Sequence, residues 1–208
     1  MLSNHPNYTT KTIKILSHQE ILDVLHTISS IRNPTRRTRA DLIISLALFS
    51  ALRKNEIATL RKQDLFQGNN PRTWFVPTRP KKNNQMPALL NDLSRSSAIQ
   101  LHRQEPQSPW ALSRPYCKAT LWNLWHIIQL RSWGFHAYRF HDLRHTSITL
   151  FYQQTRDILR TQLFARHKDL QTTQQYIHLA ERPEMEADLN AITSAFQTSN
   201  ILPFRIAK

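Results

Sequence analysis

Residues 140–145 read Phe140-His141-Asp142-Leu143-Arg144-His145, and on a helix His141, Arg144 and His145 fall at i, i+3 and i+4, along one face. An arginine offers a planar fork to two phosphate oxygens, and an imidazole donates a hydrogen bond or moves a proton near neutral pH. The combination suits a phosphate group. Taken alone, the cluster also fits a plain helix surface or a pair of core histidines. A zinc site competes, because His141 and His145 have the i, i+4 spacing of the HExxH helix, with Asp142 where its Glu would sit. Arg144 on the same face would repel a metal ion, Asp is a shorter base than Glu, and no third ligand follows at a usual distance. No metal and no other cofactor is therefore expected.

Moving outward, two further segments carry chemistry. Downstream, Ala165-Arg166-His167-Lys168 begins a run in which Tyr176 lies nine residues after His167. Upstream, Ser50-Ala51-Leu52-Arg53-Lys54-Asn55-Glu56 places Arg53 directly after an apolar stretch and Glu56 three residues later. By itself a lone Tyr is a packing residue and Arg53 a solvated helix end.

The whole chain sets the partner class. Its 208 residues hold 28 Lys plus Arg against 14 Asp plus Glu, a formal charge of +14. A charge this far from zero, spread along a chain of this length, points to a polyanion, with nucleic acid first. A membrane surface is the rival, but the positive charges are scattered and not gathered on one amphipathic helix. Residues 181–208 hold 3 basic and 4 acidic side chains, so the excess lies in the rest of the chain. No run approaches the roughly 18 apolar residues of a membrane span. The single cysteine, Cys117, excludes an internal disulfide and a Cys-rich zinc module, and Met1 to Thr12 lack the apolar core of a signal peptide. A cytoplasmic or nucleoid setting is expected. With two glycines, Gly68 and Gly134, a Gly-rich phosphate loop cannot form, so P-loop and Rossmann folds are excluded. Any phosphate must be held by side chains.

Periodicity predicts a mainly α-helical domain with a small β-ribbon. Ser17 and Glu20 make a capping box before Ile21, Val24, Leu25 and Ile28, and Arg39 to Leu52 read as a helix buried on most sides. Between Gln67 and Asn91, a turn at Gly68–Pro71 and two apolar stretches flanking Arg79–Gln85 predict a hairpin or ribbon. Helices are predicted over Asp92–Gln104, Lys118–Trp133, His141–Tyr152, Asp157–Ala165, Thr172–His178 and Glu184–Phe196. Three parts follow: a flexible arm over 1–14, a domain over 15–185, and a terminal helix and tail over 186–208 suited to packing on the core or on a neighbour.

Taken together and in this order, the three segments resemble the tyrosine recombinase (phage integrase) family. That family has an Arg box like Leu52-Arg53 with Glu56 and Leu60, a His-x-x-Arg-His box like His141–His145, and a His nine residues before a nucleophilic Tyr. The likeness covers roughly residues 15–185, and the combination is specific although each piece is weak alone. It implies the fold of the family's catalytic domain, that of DNA breaking-rejoining enzymes. It also implies a site-specific recombinase that cuts and rejoins double-stranded DNA by integration, excision or inversion. Arg53 and Arg144 would clamp the scissile phosphate, His141 and His167 would donate further bonds, and Tyr176 would attack phosphorus to give a 3'-phosphotyrosyl link. His145 would act as base or support, and Glu56 would orient Arg53 or His145. The leaving-group acid would be a hairpin lysine, with Lys82 favoured over Lys81. Arg36, Arg37, Arg39, Lys54, Arg61 and Lys62 are candidate contacts to the DNA backbone. The working unit implied is a homotetramer on two DNA sites, exchanging the segment after Tyr176 and assisted by accessory DNA-bending proteins.

Departures from the pattern are specific. Ala51 and Arg166 stand where the family has glycine, and no separate N-terminal clamp domain is read before residue 15. The fimbrial-switch recombinases, which invert DNA, are similarly short. These departures motivate one rival, a weakened DNA-binding remnant or accessory protein. A type IB topoisomerase-like relaxation of supercoils is the other.

Overall fold

A computed structural model describes residues 13–68, 70–75, 87–112, 116, 118–135 and 137–177. Its centre is α2 (Pro34–Phe49), where every residue from Leu42 to Leu48 is at most 1% exposed. Seven consecutive residues cover all sides of a helix, so α2 has to be surrounded. Around it lie α1 (His18–Ser29), α5 (Asp92–Gln104) and α7 (Phe140–Thr155), and α6 (Lys118–Trp133) packs on α1. Burying each Leu- or Ile-sized side chain here contributes about 1.5–3 kcal/mol.

Local signals explain where these helices begin and end. Ser17 and Glu20 form the expected capping box, with Glu20 Oε2 accepting from the Ser17 N–H at 2.7 Å. The central helix starts at Pro34, five residues before the expected Arg39. Asn33 Oδ1 accepts from the Arg36 N–H at 2.8 Å, and Pro34 brings a φ already set for a helix. It ends at Phe49 because Ala51 turns into the left-handed region, with φ of 49°.

After α2 the chain forms two short helices that hydrophobic periodicity did not predict, α3 (Lys54–Ala58) and α4 (Lys62–Leu65). Two antiparallel pairs of strands follow, β1 (Phe66–Gln67) with β2 (Asn70–Pro71), and β3 (Trp74–Phe75) with β4 (Ala88–Leu89). The expected single ribbon is thus two pairs in succession. Phe66 pairs with Pro71 around Gly68, whose φ is 60°, and Trp74 pairs with Leu89. The second pair brackets residues 76–86, so Lys81 and Lys82 lie outside the described residues, as do Arg79 and Cys117.

The approach to α7 is fixed by α6. Gln129, 2% exposed, accepts from the N–H groups of Ala137 and Tyr138 at 2.9 and 2.8 Å and donates to Tyr138 O at 2.9 Å. Trp125 Nε1 donates to the same carbonyl at 2.9 Å. This satisfies buried backbone groups that would otherwise be costly, and it sets the angle at which residues 140–145 enter the helix. Then come α8 (Ile158–Ala165) and α9 (Leu170–Gln174). The helix expected over Thr172–His178 is instead α9, ending at Gln174, and Tyr176 sits in the turn beyond it, its N–H donating to Thr173 O at 3.0 Å. At the other end, Lys14 of the expected arm already donates to Ala137 O at 3.0 Å, and Leu16 is 2% exposed. The expected terminal helix and the segment 186–208 lie outside the described residues.

Candidate active site

Arg53 precedes the first turn of α3 and Glu56 lies within it, so the carboxylate reaches back. Its Oε2 accepts from the Arg53 N–H at 2.7 Å and its Oε1 from Arg53 Nη1 at 3.0 Å. On α7, the fully buried Asp142 accepts from the Arg139 N–H at 2.7 Å and from Arg139 Nη2 at 2.7 Å. That interaction occupies Asp142 in the capping box of α7, so its carboxylate is not free to act as the base that the zinc reading requires. Arg144, farther along α7, reaches two turns of the chain.

Those turns are residues 50–53 and 165–167. Ala51 and Arg166 have φ of 49° and 54°, so both glycine-type positions of the sequence carry a Cβ in the left-handed region, at about 1–2 kcal/mol each. Arg144 spans both turns, donating through Nη1 to Ala51 O and through Nη2 to Ala165 O. Arg53 Nη2 donates to Arg166 O at 3.2 Å. Arg166 Nη2 returns to Ala51 O at 3.0 Å and to Glu56 Oε2 at 2.8 Å.

Tyr176 closes the cluster. It is 2% exposed and packs on Ala51, Ile148 and Ala165. Its Oη lies 2.6 Å from His145 Nδ1, and its ring stacks 5.9 Å from that of His167. His167 Nδ1 is 3.0 Å from Thr173 Oγ1, and the rings of His141 and His145 meet edge to face at 4.7 Å. Two arginines, three histidines and a tyrosine therefore meet from α7, the loop before α3, the loop after α8 and the turn after α9.

The model of the phage integrase family matches residues 14–182. The chain belongs to that family. Several solved structures share its fold. The XerH site-specific recombinase bound to palindromic difH in a post-cleavage complex is 20% identical with a TM-score of 0.68, covering 92% of this chain and 56% of its own. The XerA recombinase is 16% identical with a TM-score of 0.67, covering 95% and 67%, and the Tn1549 transposon integrase with a circular intermediate DNA is 13% identical at 0.70, covering 89% and 67%. This chain thus spans a little over half of the XerH chain. No curated protein sequence matches it.

Electrostatics in this integrase-family site are dominated by positive charge held away from water. Burial pushes the Tyr176 phenol up to about 12, against the pull of Arg144 and Arg53 in the other direction. Burial, then Arg144, Arg53 and Arg166, bring His167 down to about 3, and burial with His141 brings His145 down to about 4. His141, although exposed, is lowered by desolvation and by Arg144 and Arg53. Burial also lowers Arg144 to about 9, which leaves it charged at neutral pH. Desolvation raises Glu56, but Arg166, the Arg53 N–H and Arg53 outweigh it and hold the carboxylate ionised. At neutral pH the three imidazoles are uncharged and Tyr176 is a phenol. Proton transfer from that phenol to His145 is uphill in the resting site.

The structure brings together Arg53, Glu56, Arg144, His145, His167 and Tyr176, with the exposed His141 beside His145. Among the six candidate backbone contacts, three have partners inside the protein. Arg39 donates to Leu112 O at 2.9 Å and to Glu105 Oε1 at 3.1 Å, Arg61 lies 3.3 Å over the Trp110 ring, and Lys62 Nζ donates to Pro106 O at 3.0 Å. Arg36 is exposed and, with Arg32 and Arg131, opens on a cavity of about 700 Å³ beside α6. Arg37 lies near Asp41 on α2, and Lys54 begins α3. Sequence reasoning missed Thr173, which carries no motif signal, and saw Arg166 only as a departure beside the site.

Proposed function

We propose that this chain is a metal-independent, site-specific DNA recombinase working through a 3'-phosphotyrosyl intermediate. The observation that carries this is Tyr176 Oη at 2.6 Å from His145 Nδ1, inside a cluster that also holds Arg53, Arg144 and His167. In the proposed step, Tyr176 Oη attacks the scissile phosphorus. A P–Oη bond forms as the P–O5' bond breaks, and the phenol proton passes to His145. The 5'-oxygen takes its proton from the hairpin lysine, Lys82 before Lys81. Arg53 and Arg144 neutralise the charge that builds on the non-bridging oxygens, each Nη of Arg144 still having a second N–H to give, while His141 and His167 donate from the sides. Reversal by the 5'-hydroxyl of a second strand rejoins DNA without an external energy source.

Support for DNA as the partner comes from three sources: the +14 charge, the family, and the fold shared with XerH, which is seen on its difH substrate, and with a lambda integrase dimer on a core site. A homotetramer pairing two sites, exchange of the segment 186–208, help from DNA-bending proteins and a place in the cytoplasm near the nucleoid are parts of the same proposal.

The test is a duplex taken from sequence flanking the gene, nicked near the cleavage point so that religation is blocked, and incubated in EDTA. The expected result is a covalent protein–DNA band on a denaturing gel with the wild type and none with Tyr176→Phe. Binding of that DNA without any band would favour the remnant, and relaxation of a plasmid lacking a recombination site would favour the topoisomerase-like rival.

A further inference from the structure

Between the turns 50–53 and 165–167 three guanidiniums gather, two of them on the Glu56 carboxylate, and the cleavage scheme uses only Arg53 and Arg144. The third, Arg166, has a side chain that is 4% exposed. Its Nη2 donates to Glu56 Oε2 at 2.8 Å and to Ala51 O at 3.0 Å, and its Nη1 donates to Ser50 O at 3.4 Å. In return its own carbonyl accepts from Arg53 Nη2 at 3.2 Å. The exchange is reciprocal across more than a hundred residues of chain: Arg166 holds the backbone of the first turn, and Arg53 holds the backbone of the second. The two oxygens of Glu56 divide between Arg53 Nη1 at 3.0 Å and Arg166 Nη2 at 2.8 Å.

Arg166 is an improbable residue on local grounds. Its φ of 54° disfavours any side chain, and a buried guanidinium is costly unless it is paired. Glycine would remove both costs. What the side chain adds is a fork that grips two carbonyls and a carboxylate at once, which an ammonium cannot do.

We infer that Arg166 is a positioning residue for phosphodiester cleavage, clasping Glu56 and the Ser50–Ala51 turn so that Arg53 and His167 face the same phosphate. The inference rests on the recombinase reading for its effect on rate, but the clasp itself does not. Arg166 does not touch DNA, because its terminal nitrogens are engaged inward. It acts through Glu56 and through the backbone that carries Arg53.

The experiment compares Arg166→Gly, Arg166→Lys, Arg166→Met, Glu56→Gln and the Met/Gln double variant by three readouts: DNA affinity, single-turnover cleavage of the nicked duplex at saturating protein, and thermal melting. Arg166→Gly is expected to bind DNA within about threefold of the wild type yet to cleave it about 10–100-fold more slowly, the scale of loss for a misplaced catalytic group. Arg166→Lys should recover part of the rate, since it reaches Glu56 but cannot fork to the carbonyls. In melting, Arg166→Met should cost less in the Glu56→Gln background than in the wild type, since the partner is already gone. Wild-type cleavage by Arg166→Gly, a loss that merely tracks DNA affinity, or additive melting shifts would each overturn the inference. If the wild type forms no adduct, the recombinase reading and the rate effect fail together, and the melting cycle alone then decides the clasp, coupling keeping it and additivity ending it.

Discussion

Around α2 the packing is mainly aliphatic, with Leu42, Ile43, Ile44, Leu46 and Leu48 among the fully buried side chains and Ser45 paired with Ser94 at 3.0 Å. Around Tyr176 the apolar part shrinks to Ala51, Ile148, Ala165 and the partly buried Phe164, and beside it lies a polar network of guanidiniums, imidazoles, a carboxylate and main-chain carbonyls. In the first region a side chain matters through the volume it fills, and in the second through the directions in which it donates and accepts. Changes of similar size should therefore register in different quantities, stability in one region and reactivity in the other.

The largest effect is expected at Tyr176. Tyr176→Phe removes one oxygen and should abolish covalent attachment to DNA. The lost bond to His145 should cost only about 0.5–1.5 kcal/mol, read as a small shift in melting temperature. Next comes the opposite case, Leu46→Ala in α2. It should cost about 2–5 kcal/mol by denaturant titration, while the fraction still folded cleaves at the wild-type rate. A loss of cleavage by folded Leu46→Ala would break the contrast.

A third effect is pH dependence. His145 near 4 and His167 near 3 are both below the ordinary 6.5 of an exposed imidazole, so the unfolded chain takes up protons that the folded site refuses. Stability contributed by the neutral histidines is complete above about pH 6.5 and falls as the pH drops toward 4. Melting temperature should decline by about 5–10 °C from about pH 7 to about pH 5, before most carboxylates titrate, and His167→Gln should flatten the decline. A melting temperature that stays level from pH 7 to pH 4.5 would show that the buried histidines do not resist protonation.

The smallest effect separates two arginines of like backbone. Arg156 ends α7 with φ of 52°, and its side chain is exposed, whereas Arg166 has φ of 54° inside the clasp. Arg156→Gly exchanges about 1–2 kcal/mol of left-handed strain for the contacts its side chain makes, so stability should move little, and cleavage should be left alone. If Arg166→Gly behaves in the same way, the polar region is no more directional than a helix cap.

The same contrast explains what the sequence could reveal. Long helices were legible because apolar residues recur at helical spacing, as in α5 and α6, whose bounds match the expectation. The start of α2 was misread by following the apolar run to Arg39 and passing over the cap at Asn33 and Pro34. The helices α3 and α4, of five and four residues, are too short to show a period. The site was legible as three boxes because its residues sit at fixed short intervals, i, i+3 and i+4 on α7 and nine residues from His167 to Tyr176. The engagement of Arg39, Arg61 and Lys62 with partners of the fold, and the grip of Arg166 on Glu56, depend on residues distant in the chain. No local pattern encodes them.

The nucleophile is identified by trapping the wild-type protein on nicked DNA, digesting the adduct with protease and nuclease, and locating the residual nucleotide by mass spectrometry. A phosphodiester link is expected on the peptide containing Tyr176, at its phenolic oxygen. A nucleotide on any other residue, or the absence of an adduct on DNA that the protein binds, would contradict it.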